Sequence, residues 1–319
     1  TKEHHPQNQP KTKKKIIMFI EKELGYKRHW INIDSDIISE QSYLYTKYDI
    51  DQETIEYALD KNERAHMDYN RENGTITFIY NVLALEKDKE YYETIPLTFI
   101  VQDTRLVTIS NEDNAYVISK MQDYVDNHED LSIYKLLFAG LEMISNAYYP
   151  VIECLDQQKD EVSRRLRQTT TSKNLYDLSD LETGMVYLVT AATQNRLLLE
   201  YINGHAIYRR FNEVEKEQFD DAMIEARQLV AMTDLISKVL QQLSGSYNNI
   251  LNNNLNNNLS NLTIIEVLLG VLSVITGFFG MNVPIPFMTV SPAWIFIVFG
   301  SIILCLVLAR YLRWLVHKK

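Results

Sequence analysis

The chain of 319 residues is poor in cysteine, glycine and proline, with 2, 10 and 7 of each, and from Val267 to Ala309 it has no charged residue. Cys154 and Cys305 lie in different regions and match no metal-ligand spacing, so neither a disulfide framework nor a thiolate cluster can be built. No proline occurs between Glu213 and Met281, and only Gly245, Gly270, Gly277 and Gly280 interrupt that stretch. Without breakers, it can run as one helix about 100 Å long. Acids outnumber bases, 42 to 32, and the net charge of −10 argues against a nucleic-acid partner, which wants a basic face. No GxxxxGK[ST] phosphate loop is present, and the seven histidines are scattered. With no nucleophile and base brought together, an enzyme is the least favoured class.

The uncharged run divides at Asn282-Val283-Pro284-Ile285-Pro286. A hydrocarbon core about 30 Å thick takes about 20 helical residues, so two crossings fit, Leu262–Met281 and Ala293–Leu312. Arg310, Arg313, His317, Lys318 and Lys319 follow the second, while the hairpin loop carries no charge. Positive flanks stay on the cytoplasmic side, which places both termini there and makes a multi-pass protein of the cell membrane. No signal peptide is expected, and residues 1–15 read as a disordered basic lead-in.

Residues 16–130 read as a cytoplasmic α/β domain. Ile16–Ile20, His29–Ile33, Thr75–Ala84 and Leu97–Ser110 are rich in strand formers. Ser39–Tyr48 and Asp51–Leu59 predict short helices, the latter opened by Asp51. Residues 131–260 read as a helical and stalk region: Leu131–Leu166 and Leu175–Ile202 carry helical periodicity, parted by the polar break Gln168–Lys173. Residues 261–319 form the two-helix transmembrane domain. The fold class is an α+β membrane protein, with an N-terminal α/β domain and a helical stalk continuous with the first crossing.

Within that long helix one face stands out: Asn249, Asn252, Asn256, Leu259, Thr263, Glu266, Gly270, Ser273 and Gly277. The spacing alternates three and four, which keeps these residues on one side of a helix in a bundle. The neighbouring face, with Leu251, Leu255, Leu262, Ile265 and Leu269, suits lipid or partner helices. Small residues at this spacing also serve close helix packing, and the run Asn248–Asn261 can be a plain polar tract. Glu266 favours an aqueous path, because a carboxylate at the edge of a span is costly unless water reaches it. One helix cannot enclose water, so a pore needs several subunits around an axis.

Phe279-Gly280-Met281-Asn282 closes the first span, just before the outer loop. In this the sequence resembles the CorA family of magnesium transporters, whose mark is Gly-Met-Asn at the outer end of the first of two C-terminal spans. The likeness extends back through Leu262-Thr263, the Asn-rich stalk and Phe219-Asp220-Asp221. It implies a funnel-shaped homopentamer with Gly280, Met281 and Asn282 as selectivity filter and Mg²⁺ as the transported ion. Mg²⁺ dehydrates reluctantly, and a ring of Asn282 carboxamide oxygens suits the hydrated ion. The resemblance also implies a regulatory Mg²⁺ bound at Asp221, with Asp220 beside it, holding the pore shut. Asp68 and Asp88 are candidates for its acidic partner. From Glu213 to Glu225 six acids stand against the single base Lys216, a crowding that a divalent cation relieves, although a solvated acidic face has the same composition.

Some positions depart from the family. Phe279 replaces the usual Tyr, Gly270 replaces a pore Met, and Gly245 replaces a second stalk acid. An apolar gate then falls to Leu259 and Leu262. The loop Val283–Pro292 lacks acids, which leaves Co²⁺, Ni²⁺, Mn²⁺ or Zn²⁺, by channel or exporter, as an alternative cargo. A membrane-anchored coiled-coil scaffold that conducts nothing is the alternative of another class.

Overall fold

The computed structural model describes residues 19–35, 43–87, 91–169, 171–281 and 293–317. The lead-in 1–15, Asp88, Asn282 and the loop Val283–Pro292 lie outside the described residues. The chain divides into two compact units, Thr1–Ser244 and Gly245–Lys319.

The first unit is built on a six-stranded sheet: β1 (Ile20–Gly25), β2 (Arg28–Asp34), β3 (His66–Tyr69), β4 (Ile76–Leu83), β5 (Thr94–Gln102) and β6 (Arg105–Ser110). The strand order is β1-β2-β6-β5-β4-β3, with β2 and β6 parallel and the other pairs antiparallel. Every residue of β4 is buried, and a strand covered on both faces reads as an apolar run. One expectation needs correction. Leu97–Ser110 is two strands, because the chain reverses at Asp103-Thr104 and pairs Gln102 with Arg105. Residues 16–18 of the expected strand Ile16–Ile20 lie outside the described residues, and Ile20 opens β1; β3, which was not expected, carries too little apolar character to read as a strand.

One sheet face is covered by α1 (Tyr43–Tyr48) and α2 (Gln52–Leu59), where Tyr48, Ile50 and Ile55 pack on Ile31, Ile33, Ile100, Val107 and Ile109. As expected, Asp51 caps α2, its side chain accepting from the Thr54 amide at 2.7 Å. The remaining helices of this unit are α3 (Ala115–Asp126), α4 (Ile133–Gln168) and α5 (Ser172–Gly204), followed by a 3₁₀ turn, Ala206–Arg210. Strand β3 is too short to cover the far half of β4, and a side chain of α5 takes its place. The Asn195 Oδ1 accepts from the Asn81 amide at 2.8 Å, and its Nδ2 donates to the Asn81 carbonyl at 2.8 Å. Tyr148 of α4 donates to the same carbonyl at 3.0 Å. A buried carboxamide thus pairs as the next strand would.

The long helix α6 runs unbroken from Glu213 to Phe279, 67 residues. A reciprocal cap opens it: Asn212 N donates to the Glu215 carboxylate and Glu215 N to Asn212 Oδ1, each at 2.9 Å. Its first turns rest on α4 through aromatic rings, Phe219 lying 5.2 Å from Phe138, centroid to centroid. The final helix is α7 (Ala293–His317).

Candidate cation pathway and acidic site

Two helices are long and apolar enough to cross a membrane, α6 in its C-terminal part and α7 over Ile295–Leu315. Their apolar windows are almost wholly exposed within the chain. A core helix of a soluble protein would be covered, so lipid is the environment these surfaces fit.

In its membrane-crossing part α6 covers a stripe made of Ile264, at 6 % exposure, with Ser260, Leu268, Val271 and Ile275 half-buried. At 100° per residue, Glu266, Gly270, Ser273 and Gly277 stand roughly 180–240° round the helix from Ile264. All nine residues of the expected pore face, from Asn249 through Asn252, Asn256, Leu259 and Thr263 to Gly277, are exposed. A Cβ added at Gly270 or Gly277 meets nothing within 4 Å. Among the described residues this face is therefore left open by its own chain, opposite the covered one.

Hydroxyls on and beside the face are satisfied locally. Thr263 donates to Leu259 O at 2.9 Å, Ser273 to Leu269 O at 2.8 Å and Thr276 to Leu272 O at 2.9 Å. Back-bonding of this kind lets a hydroxyl sit in an apolar span without a partner helix, while its oxygen lone pairs stay available to water. At the end of the helix, Gly280 N donates to Thr276 O at 2.9 Å, and a Cβ on Gly280 would stand 3.0 Å from that same oxygen. Glycine is what this tight exit admits. Met281 follows with its side chain exposed.

The acidic site lies where α4 and α6 meet. Phe219, Ala222 and Ala226 are buried on one side of α6, which leaves Asp220 and Asp221 exposed on the other. Among the described residues no cation pairs with either aspartate, and Lys216 is taken by Glu213 at 2.8 Å. Sequence reasoning missed two neighbours. Glu142 of α4 has its carboxyl held above the ordinary range by burial, then by the charges of Asp221 and Glu225. Glu225, one turn beyond Asp221, accepts from the Tyr149 hydroxyl at 2.6 Å. The i+4 spacing from Asp221 to Glu225 was legible; Glu142, 79 positions away, was not. Asp68 lies in β3, where its charge acts on Tyr57. Among the described residues, no three His, Cys, Asp or Glu side chains are grouped to hold a metal ion directly.

Comparison with protein-family models decides the family: residues 27–315 match the CorA-like Mg²⁺ transporter protein model. The chain belongs to that family. It is therefore related to transporters of divalent cations. Solved structures agree on the CorA-like fold. The complete CorA magnesium transporter from Methanocaldococcus jannaschii superposes with a TM-score of 0.76 at 19% identity, covering 90% of each chain. The full-length CmaX protein gives a TM-score of 0.68 at 14% identity, over 90% of this chain and 89% of that one. The ZntB cytoplasmic domain from Vibrio parahaemolyticus RIMD 2210633 gives 0.57 at 8% identity, over 71% and 88%. Among curated protein sequences none matches significantly.

Proposed function

We propose that the chain is one subunit of a homopentameric Mg²⁺ channel of the cell membrane, with both termini in the cytoplasm. The observation that carries this reading is the exposed face from Asn249 to Gly277, which is rich in Asn before the crossing and bears polar and small residues within it, Glu266 to Gly277 standing opposite the covered stripe. Five copies turned inward would enclose an aqueous path lined by carboxamides, hydroxyls and glycine backbone. Asn282 follows directly on the turn at Gly280 and supplies one carboxamide per subunit. Such a ring accepts hydrogen bonds from the water shell of Mg²⁺, and the ion need not shed the waters it holds tightly. Met281 packs the ring in place. The membrane potential supplies about 4.6 kcal/mol for a divalent ion at 100 mV.

Asp221, with Asp220 nearby, is the stalk part of a cytoplasmic Mg²⁺ sensor. Glu142 and Glu225 extend it, since like charges brought together by α4 and α6 are relieved by a divalent cation. Ligands from a neighbouring subunit, or ordered water, complete the coordination of an ion that takes six oxygen atoms at about 2.1 Å. Glu266 raises the local cation concentration near the inner end of the pore.

The test is ion flux into liposomes holding the purified chain, with Mg²⁺, Co²⁺, Ni²⁺, Mn²⁺ and Zn²⁺ compared at equal potential. Saturable Mg²⁺ uptake that Asn282→Ala abolishes, without loss of the assembled protein, is the expected result. Faster Zn²⁺ or Co²⁺ uptake transfers the reading to that metal. No flux of any ion leaves only the scaffold.

A further inference from the structure

A cavity of about 560 Å³ opens where the β5–β6 turn and the start of β2 meet the starts of α4 and α6, and all of its lining lies within the first unit. No residue assigned to the pore or to the acidic site takes part in it. Its size falls in the range of small-molecule sites, roughly 300–1,000 Å³. Ile76, Val101 and Ile133 give it a buried, apolar lining. The guanidinium groups of Arg28 and Arg210 join the same lining from elements far apart in sequence. Arg28 pairs with Asp130 through Nη2, yet its Nε is buried and has no partner among the described residues. Arg210 is exposed and has no ion pair among the described residues. The start of α4 adds two backbone donors. Ser132 Oγ accepts from the Lys135 amide at 3.0 Å and Ser132 O from the Leu136 amide at 3.1 Å, which leaves the amides of Ile133 and Tyr134 without an acceptor among the described residues. At the head of a 36-residue helix such amides carry partial positive charge. Two carboxylates balance the cations: Asp103, exposed in the turn, and Glu215, buried and already accepting from the Asn212 amide at 2.9 Å. The Tyr134 hydroxyl stands in the field of these groups: burial raises its pKa, Arg210 opposes the rise, and Glu215 and Asp103 add to it.

We infer that this cavity binds a small phosphorylated sugar, such as a nucleoside monophosphate. The guanidinium forks of Arg28 and Arg210, with the two free amides, suit a phosphate, whose oxygen atoms accept several charge-assisted hydrogen bonds at once. The carboxylates of Asp103 and Glu215 would repel a bare anion. They accept from hydroxyl groups, however, so a sugar carried on the phosphate turns them into partners. Size points the same way, because the cavity exceeds what a phosphate alone fills, and its apolar lining suits the carbon face of a sugar or base.

The experiment is calorimetric titration of the full chain in detergent, with chelator present, using AMP, ribose 5-phosphate and inorganic phosphate. The expected result is saturable binding of AMP and ribose 5-phosphate that Arg210→Gln weakens about tenfold or more, the loss of one hydrogen bond to a charged group. Arg210 is exposed, so without ligand the variant should melt together with the unsubstituted chain. Arg167→Gln, exposed in the last turn of α4, should leave both affinities unchanged. No saturable binding of either sugar phosphate, or equal binding by the Arg210→Gln chain, overturns the site. Inorganic phosphate binding as tightly as ribose 5-phosphate overturns the sugar and leaves a plain anion site. None of these results touches the channel reading, which ion flux tests separately.

Discussion

Replacing Glu142 with Gln should stabilise the protein at neutral pH, an unusual outcome for a half-buried polar residue. Its carboxyl is held above the ordinary value of 4.5, first by burial and then by Asp221 and Glu225. A raised folded value means that the folded state holds the proton more tightly than the unfolded one. The ionised form therefore works against folding. This handicap is absent below pH 4.5, grows as pH rises through the raised value and is complete above it. Glu142 remains partly open to solvent, so the interaction is screened and amounts to about 0.5 kcal/mol, the size of an exposed like-charge pair. For a unit of this size that moves Tm by about 1–2 °C. The assay is thermal unfolding of the full chain in detergent, with chelator, from pH 4 to pH 8, for the unsubstituted protein and Glu142→Gln. The curves should coincide at pH 4 and separate above it, with the variant higher. Adding Mg²⁺ at ten times its Kd should stabilise the unsubstituted protein by about 1.4 kcal/mol and the variant by less. A variant that melts lower at pH 8 would refute the handicap, and one that gains as much from Mg²⁺ would remove Glu142 from the sensor.

Three further outcomes are expected. Glu266→Gln keeps shape and removes charge; conductance should fall at low Mg²⁺ and recover as the pore saturates, whereas equal conductance at every concentration means the residue faces headgroups. Gly270→Ala meets open space within one chain and gains about 0.8–1 kcal/mol of helix propensity, so the fold should tolerate it. A drop in its Mg²⁺ flux or oligomer mass then reports on the other copies, and no change in either argues against a crowded axis. Asn195→Leu leaves the Asn81 amide buried without its partner, while Tyr148 still serves the carbonyl; a loss of about 1–3 kcal/mol in denaturant unfolding is expected, and an unchanged midpoint would show that the amide finds another acceptor.

The membrane segment was legible because its signals are local. An uncharged run long enough to cross lipid, a helix without proline and a three-four spacing each follow from a few residues and one geometric period. The expected stretch Glu213–Met281 is a helix ending at Phe279, and the cap at Asp51 follows from a contact three residues long. The hairpin at Asp103-Thr104 escaped because neither residue is a strong breaker and both flanking strands are apolar. Strand β3 escaped because His66-Met67-Asp68-Tyr69 is held by pairing with Ile76–Ile79, which no local property announces.

From the sequence alone came the two crossings and the line of residues from Asn249 to Gly277, since helical period and hydropathy are written along the chain, while the family came from a resemblance carried by Gly280-Met281-Asn282 at the end of the first crossing. Only the tertiary structure decided which side of α6 the protein covers and which it leaves open, because burial depends on elements far away in sequence. It also decided that Glu142 stands within the field of Asp221 and Glu225, a juxtaposition made by packing Phe219 against Phe138.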